Sequence, residues 1–315
     1  MEFSKENLLN ALKPLDYPII DAHMHIWESE TFSNYLACAK RYNIQKVLGI
    51  TQPGIKNSLV EMGHAEDIIF AYYMSRENFA SYNTKGILDD LDIAIENEYP
   101  VIKTWFAPRF MDWVPKSITN FRLDTPEFHP FYEKLVEHDL ILDIHVADPD
   151  IWYQNVYTDK KKYGTKKDRI QQFINVLDQF PDLKVISVHF GSLPEDLTWL
   201  GQILDDHPNL YIDTASTRWI IRELGRKPAI AREWIQKYID RILFASDLSV
   251  GRFDVPDDYY PTRYWAQRIF FETANTAPLP FEDKDNPEGT IIKGLKLSDA
   301  ILKKFYFSNA DNLFK

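Results

Sequence analysis

The chain has one cysteine, Cys38, among its 315 residues. A single cysteine closes no internal disulfide and provides no Cys cluster for structural zinc, which points to a reducing compartment. Glycine is scarce, at 11 residues. Neither GxGxxG nor GxxxxGK[ST] occurs, so the phosphate-cradling turns of dinucleotide-binding and P-loop folds are missing. Positive charge is in deficit. There are 36 Lys and Arg against 47 Asp and Glu, a net charge of -11, which argues against a dedicated nucleic-acid binder. No apolar run reaches the roughly 18 residues needed to span a membrane. The start, MEFSKENLLN, lacks the basic region and apolar core of a secretion signal, and it is too acidic for a transit peptide. The expectation is a cytoplasmic protein with no membrane or nucleic-acid partner.

What is present is a large apolar core in the making: 45% of residues are hydrophobic and 14% aromatic, which rules out a mostly disordered chain. Short β-branched runs recur, namely YPIIDAHMHI, QKVLGI, DIIFAYYM, PVIKTWF, LILDIHV, KVISVHF, LYIDTA and RILFASD, starting near positions 17, 45, 67, 100, 140, 184, 210 and 241. Segments of helical periodicity lie between them, among them GILDDLDIAIENE, DRIQQFINVLDQF and PAIAREWIQKYID. Continuous apolar strands alternating with amphipathic helices predict buried parallel strands. Eight such units predict an α/β (β/α)8 TIM barrel, a single domain over 1–315 closed by a C-terminal helical segment. The long stretches 107–124, 147–165 and 248–296 are rich in Pro, Asp and aromatic residues. In a barrel these are extended βα-loops on the face that carries the active site.

The polar residues that end the apolar runs are the candidates for chemistry. The first run ends Asp21-Ala-His23-Met-His25-Ile-Trp27. Residues two apart share a face of a strand, so His23 and His25 point the same way and can hold one metal ion. His145, His189 and Asp247 close three further runs. Placing such groups among Ile, Val and Phe is costly unless they are paired or ligate a metal. Singly, each reads as a hydrogen-bonded core histidine or a capping aspartate; four His and one Asp at strand ends are hard to explain independently. His64, His129, His138 and His207 fall in helical or loop segments and receive no role.

His-x-His on the first strand, His on the fifth and sixth, and Asp on the eighth resemble the amidohydrolase superfamily, and most of all its amidohydrolase-related (amidohydrolase 2) branch. The resemblance runs from IIDAHMHIWES through RILFASD to the closing LKKFYFSNADNLF. It implies that His23, His25 and His145 ligate one divalent metal, with Asp247 a fourth ligand and the proton acceptor. His189 would polarise a carbonyl. Zinc suits three imidazoles and a carboxylate best, with manganese or iron as alternatives. Some members use a carboxylated lysine from strand four to bridge two metals. Lys103 could play that part, bind an anionic substrate group, or pair with Asp143. The resemblance also implies a homo-oligomer, most simply a dimer.

Arginine suits bidentate recognition of carboxylates. Arg76, Arg109, Arg218, Arg222 and Arg252 all follow strand ends. Arg218 is the first choice as a carboxylate anchor and Arg109 a second. The alternative for each is a pair with a local acid such as Glu223 or Asp254. Trp27, Trp105 and Trp152 would form either an aromatic floor for a ring-bearing small molecule or lid packing. Cys38 reads as a small buried residue. The expected activity is hydrolysis of an amide, lactone or ester in a small carboxylate-bearing substrate through metal-activated water. Non-oxidative decarboxylation of an aromatic or unsaturated acid is the alternative. After His145 the chain reads Val-Ala-Asp-Pro-Asp-Ile-Trp, where decarboxylases of the branch carry a His-Pro-Trp type continuation, and this departure favours hydrolysis or an uncharted reaction. A metal-free lactonase and a non-catalytic metal-binding protein come last.

Overall fold

The computed structural model describes residues 12–118, 120–252 and 254–315. The polar start of the chain, read above as carrying no targeting signal, lies outside them. Eight strands follow one another: β1 (Ile19–Ile26), β2 (Ile44–Thr51), β3 (Ile68–Tyr73), β4 (Val101–Trp105), β5 (Ile141–His145), β6 (Lys184–Ser187), β7 (Leu210–Asp213) and β8 (Ile242–Leu243). Each begins within two residues of its expected position. The intervening helices include Phe32–Arg41, Thr84–Glu96, Lys166–Gln179, Leu197–Asp206 and Pro228–Tyr238. This is the element order of the (β/α)8 class.

The described residues group into two compact units. The first comprises residues up to 69 and 213–315. Within it β1 pairs in parallel with β2, Ile19 opposite Ile44 and His25 opposite Ile50. On its other side β1 pairs with a short strand, β9 (Leu248–Val250), Met24 opposite Leu248 and His25 opposite Ser249. β1 is buried at every position but one, as expected of a strand covered on both faces. The second unit, 70–212, contains parallel pairs between β3 and β4, β4 and β5, β5 and β6, and β6 and β7.

Sequence and local chemistry account for the helix boundaries. Helix Lys166–Gln179 starts in a capping box, in which Thr165 accepts from the Asp168 amide while the Asp168 carboxylate accepts from the Thr165 amide. That satisfies two of the orphan donors at the helix start. The described residues of the long stretches carry defined elements. The 107–124 stretch holds the 3-10 turn Pro108–Asp112, whose Phe110 packs against Phe106 and Phe121 at ring-centroid distances of 5.3 and 4.9 Å. The 147–165 stretch carries helices Asp150–Asn155 and Lys160–Tyr163. The 248–296 stretch carries β9, helix Tyr259–Glu272 and an antiparallel pair, β10 (Thr276–Pro278) with β11 (Ile291–Lys293). The chain closes in helices Asp299–Lys303 and Asn309–Leu313.

Three expectations need correction. β8 is only two residues long, so Asp247 does not close a strand; it lies in the turn before β9 with a left-handed φ of 59°. His189 does not close β6 either. It is the second residue after the strand and opens a left-handed turn, with φ of 57°, 57°, 60° and 59° at His189, Phe190, Gly191 and Ser192. Cys38, expected to be buried, is half-buried.

Candidate active site

The first unit brings His23, His25 and Asp247 together, with one potential ligand atom from each within 4.8 Å of the others. The period-two alternation of β1 puts both imidazoles on one face. The Nε2 atoms of His23 and His25 lie 3.6 and 3.5 Å from the same oxygen, Oδ1 of Asp247. Neighbouring ligands of a tetrahedral ion with bonds of about 2.1 Å are separated by about 3.4 Å. The donor spacing therefore fits a divalent cation.

The surroundings fix this geometry. His23 is 1% exposed, and its Nδ1 faces Oδ2 of Asp213 at 3.2 Å. A carboxylate only accepts, so a proton on Nδ1 would face Asp213 and leave Nε2 the lone pair a metal needs. Asp213 ends β7 and is itself held by the Ala215 amide, which donates to Oδ1 over 3.0 Å. Asp21 ties the two ends of the cluster together. Its carboxylate accepts from the amides of His23 (3.3 Å) and Ser246 (2.9 Å), the Ser246 hydroxyl (2.5 Å) and the Tyr264 hydroxyl (2.8 Å). Burial pushes the Asp21 carboxyl up to about 6 against the pull of these bonds. Trp27 stacks on His25 with ring centroids 5.6 Å apart and planes 9° from parallel, and is 38% exposed. The Arg252 guanidinium lies over its ring at 5.3 Å.

The second unit holds a hydrogen-bonded relay. His145 Nε2 is 3.1 Å from both the Asp148 carboxylate and the Ala147 carbonyl, so it donates. The opposite nitrogen, Nδ1, is 3.2 Å from His189 Nε2 and accepts from it. Asp148 in turn accepts from the Tyr157 hydroxyl over 2.6 Å. Burial, then the charge of Asp148, push that phenol well up. Both ring nitrogens of His145 are thus committed, and His145 is not part of the metal-spaced group.

Lys103 forms a buried ion pair with Asp143 at 3.0 Å, the side chains 2% and 0% exposed. Of the three roles considered for it, this is the one the structure displays. Arg109 is exposed on its 3-10 turn, and Arg218 is exposed on helix Thr217–Leu224. Arg222 is buried in ion pairs with Glu223 (2.8 Å) and Asp283 (2.9 Å), which removes it as a substrate contact. Arg76 lies over Trp113 and Trp105 at 4.6 and 5.6 Å, and Trp105 meets His145 edge-on at 6.1 Å. Trp152 packs against Tyr157 at 6.2 Å. Sequence reasoning missed Asp213, Asp148 and Asp21. Asp213 carried the same signal as Asp247, a carboxylate closing an apolar run.

Together these features define an α/β chain of the (β/α)8 class with a candidate His-His-Asp metal site. The chain belongs to the amidohydrolase family, whose profile matches residues 106–315. That match begins after β4, so the donors on β1 rest on geometry alone. No curated protein matches the chain. Among solved structures it is similar to 2,6-dihydroxybenzoate decarboxylase from Rhizobium, at 13% identity over 94% of this chain and 98% of that one, TM-score 0.53. It is also similar to a probable 2-pyrone-4,6-dicarboxylic acid hydrolase from Acinetobacter baumannii, at 9% identity over 95% and 99%, TM-score 0.56. A third is 5-carboxyvanillate decarboxylase from Novosphingobium aromaticivorans with bound manganese, at 14% identity over 95% and 97%, TM-score 0.53. These likenesses establish the TIM-barrel fold. Among the described residues no helix is long and apolar enough to cross a membrane.

Proposed function

We propose that the protein is a metal-dependent hydrolase that opens an amide, lactone or ester bond in a small, carboxylate-bearing molecule. The observation that carries this reading is the spacing of His23 Nε2 and His25 Nε2 about one oxygen of Asp247, 3.6 and 3.5 Å. These three side chains would hold one divalent ion, zinc by donor chemistry, with manganese or iron able to replace it. A bound ion would acidify a water molecule and polarise the bond to be cleaved. Asp247 is the residue suited to take up the water proton and return it to the leaving group, because its side chain is 30% exposed and reaches solvent. Asp213 faces the His23 imidazole, and Asp21 holds the His23 backbone in place. Trp27 offers a flat wall beside His25 for a ring-bearing substrate. Arg218 anchors the carboxylate, and Arg109 is a second cation for it. The resemblance assigns His189 the polarisation of a carbonyl oxygen. Action on a small molecule, as a cytoplasmic homodimer, completes the reading.

The test is metal analysis of protein purified without chelator, for wild type and His25→Ala, with a panel of lactones, amides and esters followed by acid release. About one ion per chain, lost in the variant, together with acid release from a panel member, supports hydrolysis. Absence of metal in the wild type overturns the metal site. Carbon dioxide release from an aromatic acid, with no acid release from the panel, replaces hydrolysis by decarboxylation.

A further inference from the structure

Two buried arginines of the first unit, Arg222 and Arg268, are neutralised by carboxylates, whereas Arg263 is half-buried. Arg222 is paired with Glu223 and Asp283, and Arg268 with Glu272. Arg263 has no carboxylate partner among the described residues. It is held instead by aromatic faces, its guanidinium carbon 3.9 Å from the Tyr259 ring centroid and 4.3 Å from that of Phe281. Nη1 donates to the Tyr259 carbonyl over 2.9 Å. A guanidinium clamped between two rings has lost much of its rotational freedom and part of its water, so it meets an anion prepaid in ordering. Burial, together with the charge of Arg218, holds its pKa below the usual value.

Arg218 is the second cation of this place. Its Nη1 lies 3.5 Å from the carbonyl of Glu282, the residue after Phe281. It too has no ion-pair partner among the described residues. Both guanidinium groups therefore reach one short segment, Phe281–Glu282. Both also start from the elements that build the metal cluster. Arg218 sits on the helix that follows β7, whose last residue, Asp213, orients His23. Arg263 sits on the first turns of helix Tyr259–Glu272. The Tyr260 hydroxyl pins that helix start to the carbonyl of Ser249 at 3.1 Å, and Ser249 is the register partner of His25. Tyr259, which carries Arg263, feels the charge of Asp247.

We infer that Arg218 and Arg263 form a paired guanidinium receptor for the acidic arm of the substrate, and that two guanidinium groups without an ion-pair partner among the described residues select a molecule with two acid groups over one with a single acid group. This rests on the hydrolase reading for the word substrate, but not for the binding itself. Two cations held at one segment repel each other, and a dianion relieves both at once. A single carboxylate leaves one guanidinium without an ion pair. Arg263 is a specificity residue that sequence alone did not single out, because it lies within a helix rather than directly after a strand.

The experiment is titration calorimetry with phthalate and benzoate, an aromatic di-acid and mono-acid, on metal-loaded and chelator-stripped protein. Charge-assisted hydrogen bonds of this kind predict phthalate binding at least about tenfold tighter than benzoate, with the gap narrowing as salt is raised. Arg263→Gln and Arg218→Gln should each remove most of the preference, and Arg263→Lys should keep part of it. Arg218 is exposed, so its variant tests the receptor without threatening the fold. Equal binding of the two acids by wild type, or a preference that survives both Gln variants, overturns the receptor. The stripped protein separates the two hypotheses. A preference retained there, in a chain that proves to bind no metal, would uphold the receptor while the metal site fails.

Discussion

His23 turns its Nδ1 to the carboxylate of Asp213 at 3.2 Å, with the two side chains 1% and 0% exposed. A proton on Nδ1, facing this carboxylate, would leave Nε2 available for a metal. In Asp213→Asn the Ala215 amide would still claim the side-chain oxygen, so the new NH2 group would face His23. The imidazole would then have to accept at Nδ1 and carry its proton on Nε2, the wrong tautomer for ligation. Loss of such a supporting carboxylate costs about 10–100-fold in metal affinity. Competition with a chromophoric chelator should show a fall of that size in Asp213→Asn, with far-UV circular dichroism unchanged. Wild-type affinity in the variant would mean that the Asp213 contact does not set the tautomer.

The two histidine groups should separate in the same assay. His25→Ala removes one of three donors grouped within 4.8 Å and is expected to abolish stoichiometric binding. His145→Ala should leave the stoichiometry intact, because its ring nitrogens are engaged by Asp148 and His189 at 3.1 and 3.2 Å. Its effect should fall on turnover. Loss of the ion in His145→Ala would show that the relay opens and that His145 becomes a ligand.

Much of this was legible in the residues. The eight strands stand out because buried parallel strands are written as unbroken apolar runs, and His23 and His25 follow from the two-residue period of β1. What was not legible depends on backbone conformation and on partners distant in sequence. RILFASD reads as one continuous strand, yet the chain leaves the sheet after Leu243 and turns through a left-handed Asp247. No periodicity signals that change, since Ala, Ser and Asp suit either state. The pairing of Asp21 with Ser246 spans 225 positions and that of Lys103 with Asp143 spans 40. A sequence offers many candidate partners at such ranges, and only the folded chain selects one.

The left-handed turn after β6 predicts a sensitive glycine. Each L-residue in this conformation costs roughly 1–2 kcal/mol, and His189, Phe190 and Ser192 all adopt it. Gly191 relieves the run at one position, and it is also where space is lacking. A Cβ there would sit 2.7 Å from Leu200 Cδ1. Gly191→Ala should therefore destabilise the chain by about 1–3 kcal/mol through overpacking, plus its own backbone cost. It should also displace His189, two residues back. The expected result is a lower Tm and a fall in kcat larger than any change in KM. A variant with wild-type Tm would show that the turn is not under strain.

Acid stability offers a test away from the site. Burial by itself would raise the Asp124 carboxyl, but hydrogen bonds from Arg122 and Asn175, with the charge of Arg122, hold it below the usual carboxylate range. Arg122 grips it with Nε at 2.8 Å and Nη2 at 2.6 Å. A group whose pKa is depressed in the folded state adds stability above its unfolded pKa, near about 3.9, and loses it as pH falls through the folded value. Asp124→Asn should thus lower stability to urea at pH 7, and the deficit should shrink as pH drops below about 4, where wild type loses the same contribution. Arg122 is partly exposed, so the pair will be screened and the deficit should also narrow in high salt. A deficit that stayed constant from neutral pH down to the acid limit would mean that the loss comes from packing around Asp124 rather than from its charge.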